Sequence, residues 1–304
     1  MTKIKIQPPF LKKGDEVAII SPSFCIGENL LTEAVEYLTE WGLTVRLGKN
    51  AAKRNGPFAG SDEERLYDLR EMTNDSGIKA VFCSRGGYGL LKIIDKVDFS
   101  PLKSYPKWYS GFSDITVLHT WLNEVCGIMS VHGEMAVNFN NKKKSTKTFI
   151  SLKKALFGDP LIHEWYGNFH KPADVSGEMT GGNLSLLYSL SGTKAEITTK
   201  GKILFVEDVD ECFYHLDRML TSLKLSGKLA DLAALVIGGM NKIGDSKIPW
   251  GKNVEETISG IVSEYNYPVL FNFPAGHISD NRAFYIGKQA TIELTGNKAV
   301  LRYV

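Results

Sequence analysis

The chain has 304 residues, enough for two cores of ordinary size, since single cores stop growing at roughly 250 to 300 residues. With 43% hydrophobic and 23% charged residues it has the composition of a soluble globular protein, which excludes the disordered and fibrous classes. A net charge of +2, from 36 basic and 34 acidic residues with no large block of one sign, gives no electrostatic reason to expect nucleic acid as a partner.

The first ten residues carry charge but no apolar stretch of signal-peptide length, and no later run approaches the ~20 apolar residues that span a bilayer. A cytoplasmic protein without a membrane partner is expected. Residues 16–21 read as a buried strand, and Leu30, Leu31, Ala34, Leu38 and Trp41 then recur at helical spacing until Gly42. Residues 44–47 form a second strand, Ser61 and Glu64 a capping box, and Leu66, Leu69 and Met72 the inner face of the helix it opens. Residues 78–83 are a third strand, followed by Ser-Arg-Gly-Gly-Tyr-Gly at 84–89 and a helix at 90–94. Repeated βα alternation with continuous apolar strands implies a parallel sheet covered on both faces, which binds ligands at the carboxyl ends of its strands.

Between about residues 142 and 174 the pattern loosens into a lysine run, an amphipathic stretch at 149–157 and a polar, aromatic passage. Beyond it come strands near residues 203, 233 and 269, helices at 214–224 and 254–265, and a hairpin turning at Gly296 and Asn297. The fold class is α/β: an N-terminal parallel-sheet, flavodoxin-like domain over 1–157, a connection over 158–174, and a C-terminal mixed α/β domain with short strands over 175–304. Cys25, Cys83, Cys126 and Cys212 are far apart with no Cys-x-x-Cys pair, so neither a zinc ribbon nor a disulfide framework is expected.

Three polar residues each follow a predicted buried strand: Ser113, Glu207 and His277. A serine at a strand-to-helix junction is ordinarily an N-cap. Here Gly111 permits a tight turn, and the Asp114 N–H would point into the cleft from a helix N-terminus, where an oxyanion is stabilised. The pattern matches half of a Gly-x-Ser-x-Gly turn, with Ile115 where the second glycine would be. The glycines of 84–89 let backbone amides approach a ligand; a P-loop would need Gly-Lys-Ser/Thr, and a plain connecting turn is the alternative. Glu207 opens an acidic stretch, 207–211, that otherwise reads as a solvated helix cap and lacks the rest of a calcium loop. His132-Gly-Glu134 has the His-x-Glu of zinc deaminases without the Pro-Cys-x-x-Cys that should follow. His119, His163, His170 and His215 read as surface or helix-packing residues. His277, between Gly276 and a polar stretch, has the setting of an exposed, positioned imidazole. A nucleophile, a base and an orienting carboxylate are what amide hydrolysis without a metal requires, so neither metal nor cofactor is expected.

Together these segments resemble the LD-carboxypeptidases, serine peptidases of the muramoyl-tetrapeptide carboxypeptidase type, related to the microcin-immunity peptidases. The resemblance covers nearly the whole chain and runs through residues 11–23, 84–89, Gly111 to Asp114, Gly181-Gly-Asn-Leu, 205–211 with Asp217-Arg-Met-Leu, and Gly276-His277. It implies a triad of Ser113 as nucleophile, His277 as base and Glu207 as orienter, with an oxyanion hole at the backbone N–H of Asp114 and of Gly86 or Gly87. It also implies a muropeptide or other small peptide substrate, release of terminal D-alanine, a role in cell-wall recycling and a homodimer. Arg85 and Arg282 are the arginines nearest the motifs and the candidates for the substrate carboxylate. The chain departs from the family at Glu134, where a proline commonly follows His-Gly, and at Tyr285, near the family's terminal Pro-x-Gly. Glu134 is expected to add negative charge near the cleft. A microcin-immunity-like peptidase stacking a nucleobase on Trp165 or Trp250 is the second reading, and a ligand-binding protein with Ser113 as a cap is the third.

Overall fold

The computed structural model describes residues 5–304; the first four residues of the charged N-terminal stretch lie outside it. Five parallel strands, β1 (Glu16–Ile20), β2 (Thr44–Leu47), β3 (Ile78–Cys83), β4 (Trp108–Gly111) and β5 (Ser130–His132), lie side by side in the order β5-β4-β3-β1-β2. This is the expected flavodoxin-like parallel sheet, with its order reversing between β1 and β3. The alternation of a strand explains why it is covered on both faces. Ala18 and Ile20 point into one core with Leu66, Leu69 and Met72 of α2 (Asp62–Asn74). Val17 and Ile19 point into the other with Leu31, Ala34 and Leu38 of α1 (Glu28–Glu40). The Ser61–Glu64 capping box opens α2 as read from the sequence.

The helix expected at 90–94 is instead two short 3-10 turns, Leu90–Lys92 and Ile94–Lys96. Leu90, Ile93 and Ile94 are all buried, and the Leu90 N–H donates to the Asp114 carboxylate at 3.0 Å, so tertiary packing sets this segment. Beyond β4, α3 (Thr116–Thr120) covers the sheet, and α4 (Thr146–Phe157) closes the first half.

The second sheet has eight strands. β6 (Ile162–Tyr166) and β7 (Phe169–His170) form its edges. Its centre is four parallel strands: β8 (Val175–Asn183), β9 (Ile203–Val209), β10 (Ala234–Asn241) and β11 (Val269–Leu270). α5 (Leu184–Ser189), α6 (Phe213–Leu225) and α7 (Val254–Ile261) pack on it. β12 (Phe284–Ile286) leaves this half and pairs antiparallel with β5, Phe284 opposite His132, so the last strand of the first sheet comes from late in the chain. β13 (Gln289–Thr295) and β14 (Lys298–Tyr303) form the expected hairpin and return to the second sheet.

Two sequence expectations shift here. The stretch read as a connection, 158–174, carries β6 and β7; edge strands of five and two residues are too short to show a period. Phe284–Ile286, wholly buried, gave no alternation from which its sheet could be read. Between the sheets lies a buried ionic cluster, Lys5 and Lys202 on Glu178 at 2.7 and 2.8 Å, with Lys202 3.4 Å from Glu124. Among the described residues no helix is long and apolar enough to cross a membrane.

Candidate active site

The carboxyl ends of the parallel strands of both sheets open onto one cleft of about 690 Å³, lined by Arg85, Gly86, Gly87, Phe112, Ser113, Lys144 and His277 among others. Ser113 follows β4 at the turn into α3 and is held at φ 65°, in the left-handed region that a residue with a Cβ occupies only under constraint. The constraint comes from both sides. The strand fixes Gly111, whose carbonyl accepts from Gly133 N at 3.0 Å, and the buried Asp114 carboxylate accepts from Ser23 Oγ at 2.6 Å and from Leu90 N. Burial pushes the Asp114 carboxyl up from its ordinary value, against those two hydrogen bonds. The sequence reading put the turn's conformational relief on Gly111. That glycine instead serves close packing, since a Cβ there would lie 2.8 Å from the Ile115 side chain.

Gly86, in the loop that follows β3, faces the serine. A Cβ on residue 86 would sit 2.9 Å from Ser113 Cβ, 3.0 Å from its Oγ and 3.4 Å from Asp114 N. The missing side chain therefore leaves a small space bounded by the hydroxyl and a backbone N–H. Gly87 follows at φ 110° against Phe24.

His277 comes from the loop after β11 and Glu207 from β9. The Nδ1 of His277 is 2.7 Å from Glu207 Oε2, and the His277 backbone N–H donates to the same oxygen at 3.1 Å. Because a carboxylate only accepts, Nδ1 carries a proton, and in the neutral ring Nε2 is left with its lone pair. Glu207 is fully buried and takes a further hydrogen bond from Asn183 Nδ2 at 3.2 Å. Burial works to lower the imidazole's pKa, but Glu207 outweighs it and the net shift is upward. Gly276 is required where it stands: it has φ 103°, and a Cβ would lie 2.7 Å from Glu207 Oε2. Its N–H donates to buried Asn281 Oδ1 at 2.8 Å, which pins the loop. Ser113 Oγ and His277 Nε2 face the same cleft without a hydrogen bond between them.

Asn183 and Asn281 went unassigned in the sequence reading, although Asn183 falls within Gly181-Gly-Asn-Leu. The structure also withdraws Arg282 as a substrate ligand. Its guanidinium is spent on Asp280, at 2.7 Å, and on the Glu164 carbonyl, and it does not line the cleft. Arg85 does line it, with Nη1 donating to the Cys25 carbonyl at 3.1 Å. Trp165 is buried against Phe273 and donates to the Phe271 carbonyl, and Trp250 donates to Thr257; neither reaches the cleft to stack a base. Glu134 is fully buried and paired with Lys144 at 2.8 Å, so it adds no free negative charge. His119 and His163, read as surface or helix-packing residues, are fully buried. Among the described residues no group of three or more His, Cys, Asp and Glu is placed to hold a metal ion.

Residues 17–133 match the family described as LD-carboxypeptidase N-terminal domain, and residues 176–292 that described as LD-carboxypeptidase C-terminal domain. The chain is 36% identical to a probable murein peptide carboxypeptidase of Bacillus subtilis, over 98% of this chain and 95% of that one. Among solved structures, muramoyltetrapeptide carboxypeptidase from Oxalobacter formigenes has a TM-score of 0.87 and 30% identity, covering 95% of this chain and 98% of the other. The microcin C7 self-immunity protein in complex with aspartyl sulfamoyl adenosine reaches 0.88 with 20% identity over 98% of both chains, a likeness of fold alone.

Proposed function

This chain belongs to the LD-carboxypeptidase family, and from that premise we propose that it is a serine carboxypeptidase releasing terminal D-alanine from murein tetrapeptides, with Ser113, His277 and Glu207 as its triad. The observation that carries the reading is the 2.7 Å contact of His277 Nδ1 with buried Glu207, on the cleft into which strained Ser113 projects. With Nδ1–H donated to Glu207, Nε2 takes the Ser113 proton as Oγ attacks the scissile carbonyl. The serine–imidazole contact closes when substrate fills the cleft, as catalytic hydrogen bonds often do.

The oxyanion then occupies the space beside Gly86, receiving the N–H of Asp114 and of Gly86 or Gly87. His277 passes its proton to the leaving amine, and the acyl-enzyme is resolved by a water that the same ring deprotonates. Glu207 keeps the imidazole in the useful tautomer and stabilises the imidazolium. We place the enzyme in the cytoplasm, where thiols stay reduced, a location that suits four free cysteines. A homodimer is carried forward from the resemblance.

The test is to offer a tetrapeptide ending in D-alanine beside its L-alanine epimer. Release of D-alanine alone, abolished in Ser113→Ala, is expected. Equal cleavage of the epimer, or release that survives the substitution, overturns the proposal.

A further inference from the structure

We propose that Lys144, fixed by buried Glu134, receives the free carboxylate of the departing amino acid and so determines that a chain end is cut. The proposal rests on the carboxypeptidase reading and adds to it the group that tells a terminal residue from an internal one. Lys144 lies two residues before α4 and lines the cleft with Ser113 and His277, its side chain 13% exposed. Its ammonium is 2.8 Å from Glu134 Oε2, donates to the Ile278 carbonyl at 3.0 Å, and stands 5.9 Å from the centre of the Phe112 ring. That ring in turn packs 4.9 Å from the ring of His277. An ammonium has three N–H donors; two are engaged and one remains for a ligand.

Glu134 holds the cation in place. Its carboxylate also accepts from Met135 N, Asn138 Nδ2 and Asn281 Nδ2, at 3.1, 3.0 and 3.4 Å. A carboxylate stripped of water persists only with such partners, so the pair is a rigid fixture rather than a flexible surface lysine.

Its side of the cleft follows from the chemistry. The imidazole that takes the serine proton later gives it to the leaving amine, so that amine lies beside His277. In a terminal amino acid the free carboxylate sits on the carbon that bears this amine, and it falls on the same side. Lys144 is the cleft cation bonded to the residue after His277. Arg85, on the glycine loop, is bonded to the Cys25 carbonyl, Lys242 is paired with Asp210 at 3.2 Å, and Lys143 is exposed.

The test compares the D-alanine tetrapeptide with its C-terminal amide. One charge-assisted contact predicts that the wild-type enzyme prefers the acid by about 10- to 100-fold in kcat/KM. The preference is expected to fall towards one in Lys144→Met. It should also fall in Lys144→Met combined with Glu134→Gln, which leaves no buried carboxylate unpaired and guards against misfolding. Equal use of acid and amide by the wild type, or an undiminished preference in a folded variant, overturns the proposal and leaves the carboxypeptidase reading standing. A wild-type enzyme that cleaves neither substrate overturns both.

Discussion

A serine at φ 65° costs about 1–3 kcal/mol, and the hydroxyl of this one has no protein hydrogen-bond partner among the described residues to offset it. Ser113→Gly releases that strain and gives back roughly 0.5–1 kcal/mol of chain entropy to the unfolded state, so the strain term wins. The variant is expected to be inactive yet more stable by about 1 kcal/mol in denaturant unfolding; unchanged or lower stability would contradict the argument. The sequence placed Ser113 correctly at a strand-to-helix turn, because the apolar runs on either side are long enough to read. It did not disclose which residue bears the strain, since that is decided by Ile115 crowding Gly111 and by Asp114 being anchored to Ser23 and Leu90 from other strand ends. Asn281 and Lys144 were illegible for a related reason: beside a near partner, each is placed in the site by one more than a hundred residues away, Glu134 for Asn281 and the Ile278 carbonyl for Lys144.

At the scale of elements, α3 is fastened to the first sheet by His119. Its Nε2 is 2.9 Å from the Gly111 carbonyl, so that nitrogen carries the proton, and Nδ1 accepts from Ser130 Oγ at 2.8 Å. One buried imidazole thus joins the helix to β5 and to β4, the latter at Gly111, two residues upstream of Ser113. From the sequence His119 reads as a surface or helix-packing residue, with nothing to show that its two partners come from neighbouring strands. Burial pulls its pKa down to about 4, from an ordinary 6.5. Unfolded chains therefore take up this proton first as pH falls. The stabilisation is complete above about pH 6.5, erodes between 6.5 and 4, and is exhausted below, a loss of roughly 3 kcal/mol. Urea unfolding at pH 7 and pH 4.5 should show a smaller difference for His119→Gln than for the wild type; equal differences would show that His119 does not titrate in this window.

For the whole molecule, the proposed nucleophile hangs from one sheet, and the proposed base and its carboxylate from the other. Their spacing therefore depends on what locks the sheets together: the Lys5–Glu178–Lys202 cluster and the return of β12. Phe284 is central to the second lock. It is fully buried, stacks on His132 at 4.5 Å, and meets Phe205 and Phe273 of the second half at 4.7 and 5.7 Å. Truncating such a ring costs about 3–5 kcal/mol. Phe284→Ala is expected to lose that much while fluorescence and circular dichroism still report one coincident transition; two separated transitions would show that the halves unfold independently.

The position of β12 in the chain also bears on how the protein is made. One flank of β5 has no neighbour until Phe284–Ile286, far along the chain from Ser130–His132, has left the ribosome. Between the emergence of β5 and that of β12 the nascent polypeptide presents a bare row of strand amides and carbonyls, the surface on which other chains readily add. That margin is where a nascent chain of this fold is open to edge-to-edge pairing until β12 covers it.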